Sequence, residues 1–252
     1  MRQSERKYKR IVVKIGSSIL CKEQARIDEA VFKGISGQIT GLVTKGHEVV
    51  IVSSGAIALG MHHLGLKERP KELFYLQAAA AVGQTDLMNS YAKFFKGALK
   101  TAQLLLTWED FANHARYQNA KNTIHTLLQL KTVPIINEND TVSTEEIKFG
   151  DNDKLSALVA SLISADLLII LSDIDGLWDR EKKVIKVVDK IDHAIKQLAC
   201  PTDKKHCVGG MITKIEAAKI AVNSGIPCVI VNGKRPGIID ASVRQPGAFG
   251  TL

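Results

Sequence analysis

The chain has 252 residues, of which 45% are hydrophobic and 24% charged, and its formal net charge is +8 at pH 7. This balance is typical of a globular protein with a sizeable core and excludes a disordered chain. Every apolar run is shorter than the roughly 20 residues needed to cross a bilayer, and the basic N-terminus has no apolar segment of signal-peptide length. Since no Pro/Gly/Ser-rich linker divides the chain, we expect one cytoplasmic domain over residues 1–252.

The positive charge by itself is compatible with nucleic acid, an acidic membrane surface or anionic small substrates. Aromatic residues are only 5% of the chain and do not alternate with basic ones, so stacking on nucleic-acid bases has little support. Part of the excess charge lies in the first ten residues, where a solvated basic tail is the simpler interpretation. We expect small anionic substrates, with no nucleic-acid or membrane partner.

The four cysteines include no CxxC pair, and a chain of this size does not need disulfides to supplement its core. Cys200, His206 and Cys207 lie close together, but a fourth ligand and a paired spacing are missing. The adjacent pair His62 and His63 is more typical of a helix surface than of a metal site. No protein-held metal site is therefore predicted.

Short β-branched runs alternate with apolar residues at helical spacing from residue 10 onward. This alternation predicts an α/β fold, a three-layer sandwich whose mostly parallel central sheet is covered on both faces. The predicted strands are 10–15, 48–53, 103–106, 133–137, 167–172 and 227–232. The predicted helices are 27–42, 73–96, 115–130, 155–164 and 212–223.

In such sheets ligands bind beyond the carboxyl ends of the strands. Small and polar residues follow several predicted strands, at 16–18, 53–56, 137–140 and 172–176. Turns between a strand and a helix favour such residues in any case, so a single turn of this kind carries no functional signal. Their recurrence at several strand ends favours a binding site.

Lys14 is the next-to-last residue of the first predicted strand, directly before a Gly-Ser-Ser turn, so it directs a cation toward this edge of the sheet. A phosphate is the natural ligand there, although a lysine that only extends to solvent is the alternative. Gly16 would let backbone N–H groups approach phosphate oxygens. The chain contains neither a P-loop nor a dinucleotide-binding fingerprint, so phosphate must be held in another way.

Two further segments carry suitable groups. Residues 208–214 place a Gly-Gly turn, Thr213 and Lys214 at the start of a helix, where N–H groups and the helix dipole favour phosphate. Residues 150–154 place two carboxylates and an amide ahead of another helix; N-capping explains one of them. With the acceptors of 137–140 this segment suits an ammonium group or hydrated Mg²⁺. Asp173, after a buried strand, is another candidate for organising Mg²⁺ or nearby lysines.

These segments together resemble the amino acid kinase family and, within it, the glutamate 5-kinases. The similarity is collinear over nearly the whole chain, and the Asn-Glu-Asn-Asp and Gly-Asp-Asn-Asp blocks are specific to that branch. The motifs that carry the resemblance are Lys14-Ile-Gly-Ser-Ser, Val52-Ser-Ser-Gly-Ala-Ile57, Ala81-Val-Gly-Gln84, Ile136-Asn-Glu-Asn-Asp140, Glu146-Ile-Lys-Phe-Gly-Asp-Asn-Asp153, Leu155-Ser-Ala157 and Gly209-Gly-Met211 with Thr213-Lys214.

The resemblance implies transfer of the ATP γ-phosphoryl group to the γ-carboxylate of L-glutamate, which is the first step of proline biosynthesis. It implies ATP and Mg²⁺, an amino-acid lobe over about 1–165 and a nucleotide lobe over about 166–252. The implied catalytic residues are Lys14, Lys214 and Asp173. The implied nucleotide-binding residues are Lys14, Gly16, Ser172, Asp173, Val208, Gly209, Gly210, Met211, Ile212, Thr213 and Lys214. The implied glutamate-binding residues are Ser54, Gly55, Asp140, Asp151, Asn152 and Asp153.

The resemblance further leads us to expect a homo-oligomer, feedback inhibition by proline, and handover of the product to glutamate-5-semialdehyde dehydrogenase. Two departures from the family pattern stand out. We expect no C-terminal PUA domain, and Val208 replaces the hydroxyl residue usual in the nucleotide loop. The implied chemistry needs no general base, because a glutamate carboxylate with a reference pKa of about 4.3 is already ionised at pH 7.

Two other functions stay open at this point. A sister kinase would act on another small anion, such as acetylglutamate or uridylate; the two acidic blocks argue against it. A catalytically silent amino-acid sensor or nucleic-acid binder would retain the fold and use the basic surface. The presence of both Lys14 and Lys214 argues against that second alternative.

Overall fold

The computed structural model describes residues 7–22, 26–143, 152–199 and 210–252. The strands in these ranges form one sheet. They are β1 Arg10–Ile15, β2 Glu48–Ser53, β3 Lys100–Leu106, β4 Thr132–Glu138, β5 Leu167–Ser172 and β6 Cys228–Asn232. The helices are α1 Ser17–Leu20, α2 Glu29–Thr44, α3 Ala56–His63, α4 Leu73–Phe95, α5 Trp108–Ala112, α6 His114–Gln129, α7 Asn152–Leu162, α8 His193–Ala199, α9 Met211–Asn223 and α10 Ile238–Arg244.

The strand order is β3-β4-β2-β1-β5-β6, and every neighbouring pair is parallel. Side chains alternate between the two faces of a strand. In β1, Ile11, Val13 and Ile15 enter the core formed with α2, α4 and α10, whereas Val12 enters the core formed with α6, α7 and α9. Both faces are therefore covered, and the predicted three-layer α/β fold is confirmed. The same alternation puts Lys14 on the α7 and α9 side, at the carboxyl end of its strand.

The predicted strands and long helices are confirmed, with β3 beginning at Lys100 rather than at residue 103. Gly46, two residues after the end of α2, has a φ of 86°, a conformation that glycine adopts at little cost. The short helices α1, α3, α5, α8 and α10 were not predicted, because an element of four to eight residues shows too few apolar repeats to reveal its period. No helix in the described ranges is both long and apolar enough to span a membrane.

Helices α3 and α4 pack with their backbones in close contact. A Cβ atom at Gly60 would collide with the Ala79 carbonyl, and one at Gly83 would collide with the Ala56 carbonyl and the Gly60 backbone nitrogen. Glycine is required at both positions because any side chain would push the helices apart. This contact fixes the position of α4 beside the carboxyl ends of β2 and β4.

Candidate active site

A buried carboxylate joins two lysines from different parts of the chain. The Lys14 Nζ atom lies 2.5 Å from Asp153 Oδ1, and the Lys214 Nζ atom lies 3.2 Å from Asp153 Oδ2. The side chains of Lys14, Asp153 and Lys214 are only 7%, 5% and 12% exposed. Because two cations share one anion, the cluster keeps a net positive charge and suits an anionic ligand.

Each member of this cluster is held by the start or the end of a regular element. Lys14 lies near the end of β1, Asp153 in the first turn of α7, and Lys214 in the first turn of α9. Helix α9 begins after Gly210, whose φ of 83° and ψ of −142° are accessible to glycine. The Thr213 hydroxyl donates to Asp153 Oδ2 at 2.7 Å, so α9 is connected to α7 by a hydrogen bond as well as by an ion pair.

The charges of this cluster support one another. Burial raises the pKa of Asp153, but Lys14, Lys214 and the hydrogen bond from Thr213 outweigh that effect and hold the pKa below its ordinary value. Asp153 is therefore an anion at neutral pH. A Cβ atom at Gly16 would lie 3.5 Å from the Lys14 Nζ atom, so the ammonium group faces a backbone that carries no side chain. A ligand anion can approach on this side.

A chain of amide side chains lies next to the lysines, at the ends of β2 and β4. The Asn152 Nδ2 atom donates to Ser54 Oγ and to Asn137 Oδ1, both at 2.9 Å. The Asn137 Nδ2 atom donates to Gln84 Oε1 at 2.9 Å. Among the described residues, Asn152 Oδ1 and Gln84 Nε2 are buried without a hydrogen-bond partner. These amides form a polar wall beside the cluster.

Asp140 lies two residues beyond the end of β4 and lines a cavity of about 260 Å³ with Gln84 and Glu138. Burial raises the pKa of Asp140 to about 6, against an opposing effect of Arg69. Asp140 is thus mostly ionised at pH 7 and becomes protonated in mildly acidic solution. A carboxylate of this kind can pair with an ammonium group.

The ends of β5 and β6 form the other flank. The Ser172 hydroxyl donates to Asp173 Oδ1 at 3.4 Å, and the Gly233 N–H donates to the Ser172 carbonyl at 2.8 Å. Asp175 accepts from Asn232 Nδ2 at 3.0 Å and pairs with Arg235 at 2.7 Å. The loops after the two strands are therefore joined by side-chain and backbone hydrogen bonds.

The structure brings several of the predicted residues together and separates others. Lys14, Thr213 and Lys214 converge on Asp153, and Asn152 contacts Ser54. Gly55 directly precedes α3 with a φ of 117°. Met211 and Ile212 begin α9.

Another carboxylate takes the place predicted for Asp173 beside the lysines. The sequence suggested Asp173 for organising the lysines, but of the ion pairs among the described residues none joins Asp173 to Lys14 or Lys214; Asp153 does so. A catalytic role for Asp173 stays a prediction. Asp151, Val208 and Gly209, and the Cys200–His206–Cys207 set, lie outside the described residues.

Sequence reasoning also missed some residues of the site. Arg69 and Arg235 were not singled out, because an arginine in a loop has no spacing that marks it. Gln84 was noted only within the Ala-Val-Gly-Gln segment. The signal that could have identified Gln84 is a polar residue that directly follows a helix glycine in an otherwise apolar stretch.

Comparison with known proteins agrees with this geometry. Residues 9–232 match the sequence model of the amino acid kinase family. The chain belongs to this family. Within it, the chain is 50% identical over 238 residues to glutamate 5-kinase of Caldanaerobacter subterraneus subsp. tengcongensis, an alignment that covers 92% of this chain and 64% of the relative. It is 45% identical to glutamate 5-kinase of Pelobacter propionicus, covering 100% of this chain and 69% of that relative.

The chain thus spans about two thirds of the length of these curated relatives. Among solved structures it resembles isopentenyl phosphate kinase, with a TM-score of 0.64 at 16% identity over 96% of this chain and 98% of the other. It also resembles N-acetylglutamate synthase from Neisseria gonorrhoeae, with a TM-score of 0.65 at 14% identity over 96% of this chain and 60% of the other. These two likenesses establish the amino acid kinase fold and nothing finer.

Proposed function

We propose that this chain transfers the γ-phosphoryl group of ATP to the γ-carboxylate of L-glutamate, giving γ-glutamyl phosphate and ADP. The observation that carries the proposal is the buried Lys14–Asp153–Lys214 cluster beside the amide wall of Asn152 and Asn137. The 45–50% identity to the two glutamate 5-kinases supports glutamate as the acceptor.

In the reaction a γ-carboxylate oxygen of glutamate attacks the γ-phosphorus, and the bond from this phosphorus to the β–γ bridging oxygen breaks. The carboxylate is already ionised, so no base has to remove a proton. What the protein must supply is alignment of the two reactants and positive charge where negative charge develops. Lys14 and Lys214 can supply this charge.

Asp153 holds the two lysines in place, since without an anion between them their ammonium groups would repel each other. The N–H groups in the first turn of α9 and the Thr213 hydroxyl would face the nucleotide phosphates. Ser172, Asp173 and Gly16 would line the same site. The described residues include no group of three or more His, Cys, Asp or Glu side chains placed to hold a metal. Mg²⁺ that is bound to ATP would neutralise phosphate charge.

Glutamate would bind on the side of β2 and β4. Its α-ammonium group can donate to Asn152 Oδ1, a buried acceptor with no partner among the described residues, and can pair with Asp140. Ser54 and the backbone at Gly55, before the first turn of α3, offer donors for a carboxylate. The amino-acid lobe over about 1–165 and the nucleotide lobe over about 166–252 stay predictions. Inhibition by proline, a homo-oligomeric state and product handover stay predictions from the family.

The test is release of ADP from Mg-ATP with glutamate, acetylglutamate, aspartate, carbamate or UMP as acceptor, with hydroxylamine present to trap any acyl phosphate. We expect glutamate alone to support turnover and to yield the hydroxamate. Lys14→Ala should reduce kcat by at least about a hundredfold, because it removes charge needed in the transition state; this variant also controls for contaminating kinases. Turnover with another acceptor only, or none at all, would reject the proposed reaction.

A further inference from the structure

Two backbone groups set the orientation of the amide side chains in the wall. The Glu138 N–H fixes Asn137, and the Ser53 carbonyl, which accepts from Asn152 Nδ2 at 3.3 Å, fixes Asn152. The Glu138 N–H donates to the side chain of Asn137 at 2.9 Å. A backbone N–H can only donate, so the atom that faces it must be the amide oxygen of Asn137. The Nδ2 group of Asn137 must then lie on the opposite side of its side chain.

This orientation passes to the two neighbouring amides. The Asn152 atom that faces Asn137 Oδ1 and the Ser53 carbonyl has to be a donor, which is Nδ2, and the Asn152 oxygen is thereby turned away. On the other side, Asn137 Nδ2 needs an acceptor, which is Gln84 Oε1. This hydrogen-bonded series of amides ends in one acceptor, Asn152 Oδ1, and one donor, Gln84 Nε2. Both atoms are buried and have no hydrogen-bond partner in the described part of the protein.

Gln84 is well placed to anchor this chain. Gln84 is only 9% exposed, and the preceding residue, Gly83, is in direct backbone contact with α3. Helix α4 therefore cannot shift easily toward or away from β4. Among the described residues, no hydrogen bond or ion pair joins Gln84 to the lysine cluster, and its one side-chain hydrogen bond there is to Asn137.

We infer that Gln84 is a positioning residue for glutamate. Its hydrogen bond holds the Asn137 side chain, and Asn137 Oδ1 in turn helps to hold the Asn152 amide with its oxygen toward the α-ammonium group of the substrate. This inference rests on the proposed function. With both carboxylates ionised, the ammonium group is the only hydrogen-bond donor that glutamate possesses. An amide at position 152 in the opposite orientation would present a second donor to it, and the contact would be repulsive.

The test is the steady-state kinetics of Gln84→Met, which keeps the size of the side chain and removes the acceptor that Asn137 needs. We expect the KM for glutamate to rise about tenfold, the worth of one buried hydrogen bond, with the KM for ATP within about twofold of wild type. Gln84→Glu keeps an oxygen toward Asn137 and should stay within about threefold of wild type for both. Gln38→Met on α2, where Gln38 Oε1 accepts from the Ile239 N–H at 2.8 Å, is the matched control and should leave both KM values unchanged.

A double variant separates positioning from general loosening of the fold. In an Asn152→Ala background, Gln84→Met should raise the KM for glutamate by no more than about twofold further, because the group it orients is gone. Additive effects would overturn the inference, as would equal rises in both KM values or an unchanged KM for glutamate in Gln84→Met. A tenfold rise in Gln84→Glu would also overturn it.

Crystal structures of wild type and Gln84→Met test whether Gln84 positions the Asn152 amide, whatever the substrate is. We expect the Asn152 amide in the variant to leave its hydrogen bonds to Ser54 and Asn137. An unchanged Asn152 amide would overturn the inference even if glutamate is the substrate. A displaced amide in a protein that does not phosphorylate glutamate would support the positioning role and reject only the proposed reaction.

Discussion

Asp153→Asn removes the anion between Lys14 and Lys214 while keeping the size of the side chain. The two ammonium groups lie 2.5 and 3.2 Å from the carboxylate oxygens. At an effective dielectric constant of about 20, these contacts correspond to gross attractions of about 7 and 5 kcal/mol. Removal of all three charges from water offsets most of this sum, at several kcal/mol for each ion.

The asparagine variant keeps the cost of burying both lysines and loses most of the attraction. We therefore expect the free energy of unfolding at pH 7 to fall by about 3–5 kcal/mol. For a chain of this size that is a decrease in Tm of about 10 °C. Mg-ATP should recover part of the loss, because its phosphates would supply negative charge to both ammonium groups. Turnover should fall by at least about a hundredfold.

The assay is urea unfolding without nucleotide, followed by thermal melts with and without Mg-ATP. Asp240→Asn is the matched control, because Asp240 also lies between two cations, Lys45 at 2.9 Å and Arg244 at 2.6 Å, but both cations are largely exposed. Exposed ion pairs contribute little, so the control should lose less than about 1 kcal/mol. An unfolding free energy for Asp153→Asn within about 1 kcal/mol of wild type would refute the reasoning.

Three further predictions follow from single contacts. Since Asp140 has a raised pKa of about 6, the KM for glutamate should rise as the pH falls from 7 to 5. In Asp140→Asn the KM should be high and should no longer depend on pH. Parallel profiles of KM against pH in wild type and variant would contradict this. Gly83→Ala should lower the free energy of unfolding in urea by about 1–3 kcal/mol, because the added Cβ atom would strike backbone atoms. Its control, Gly37→Ala, has open space around it and should leave this free energy unchanged or raise it. Thr213→Val loses the hydrogen bond to Asp153 and should raise the KM for ATP about fivefold, with Thr213→Ser near wild type as its control.

Much of the fold follows from local sequence signals. Strands β1, β2 and β5 consist mostly of β-branched or other apolar residues, and such strands are predictable because both faces of a parallel sheet are buried. The alternation of these strands with long amphipathic helices requires crossover connections and hence a parallel sheet. The short helix α3 was not predictable in this way, because its position depends on the glycine contact with α4.

The candidate site, like the fold, was predictable from the sequence only in part. The residue types at the strand ends, with Lys14 before a glycine and Lys214 in the first turn of a helix, indicated phosphate chemistry from the sequence alone. The tertiary structure decided which residues meet. Asp153 pairs with lysines 139 residues before it and 61 residues after it, and Gln84 reaches Asn137 across 53 residues. Local sequence patterns encode the period of each element, whereas a contact between distant residues depends on strand order and helix packing, which form only when the whole sheet is assembled.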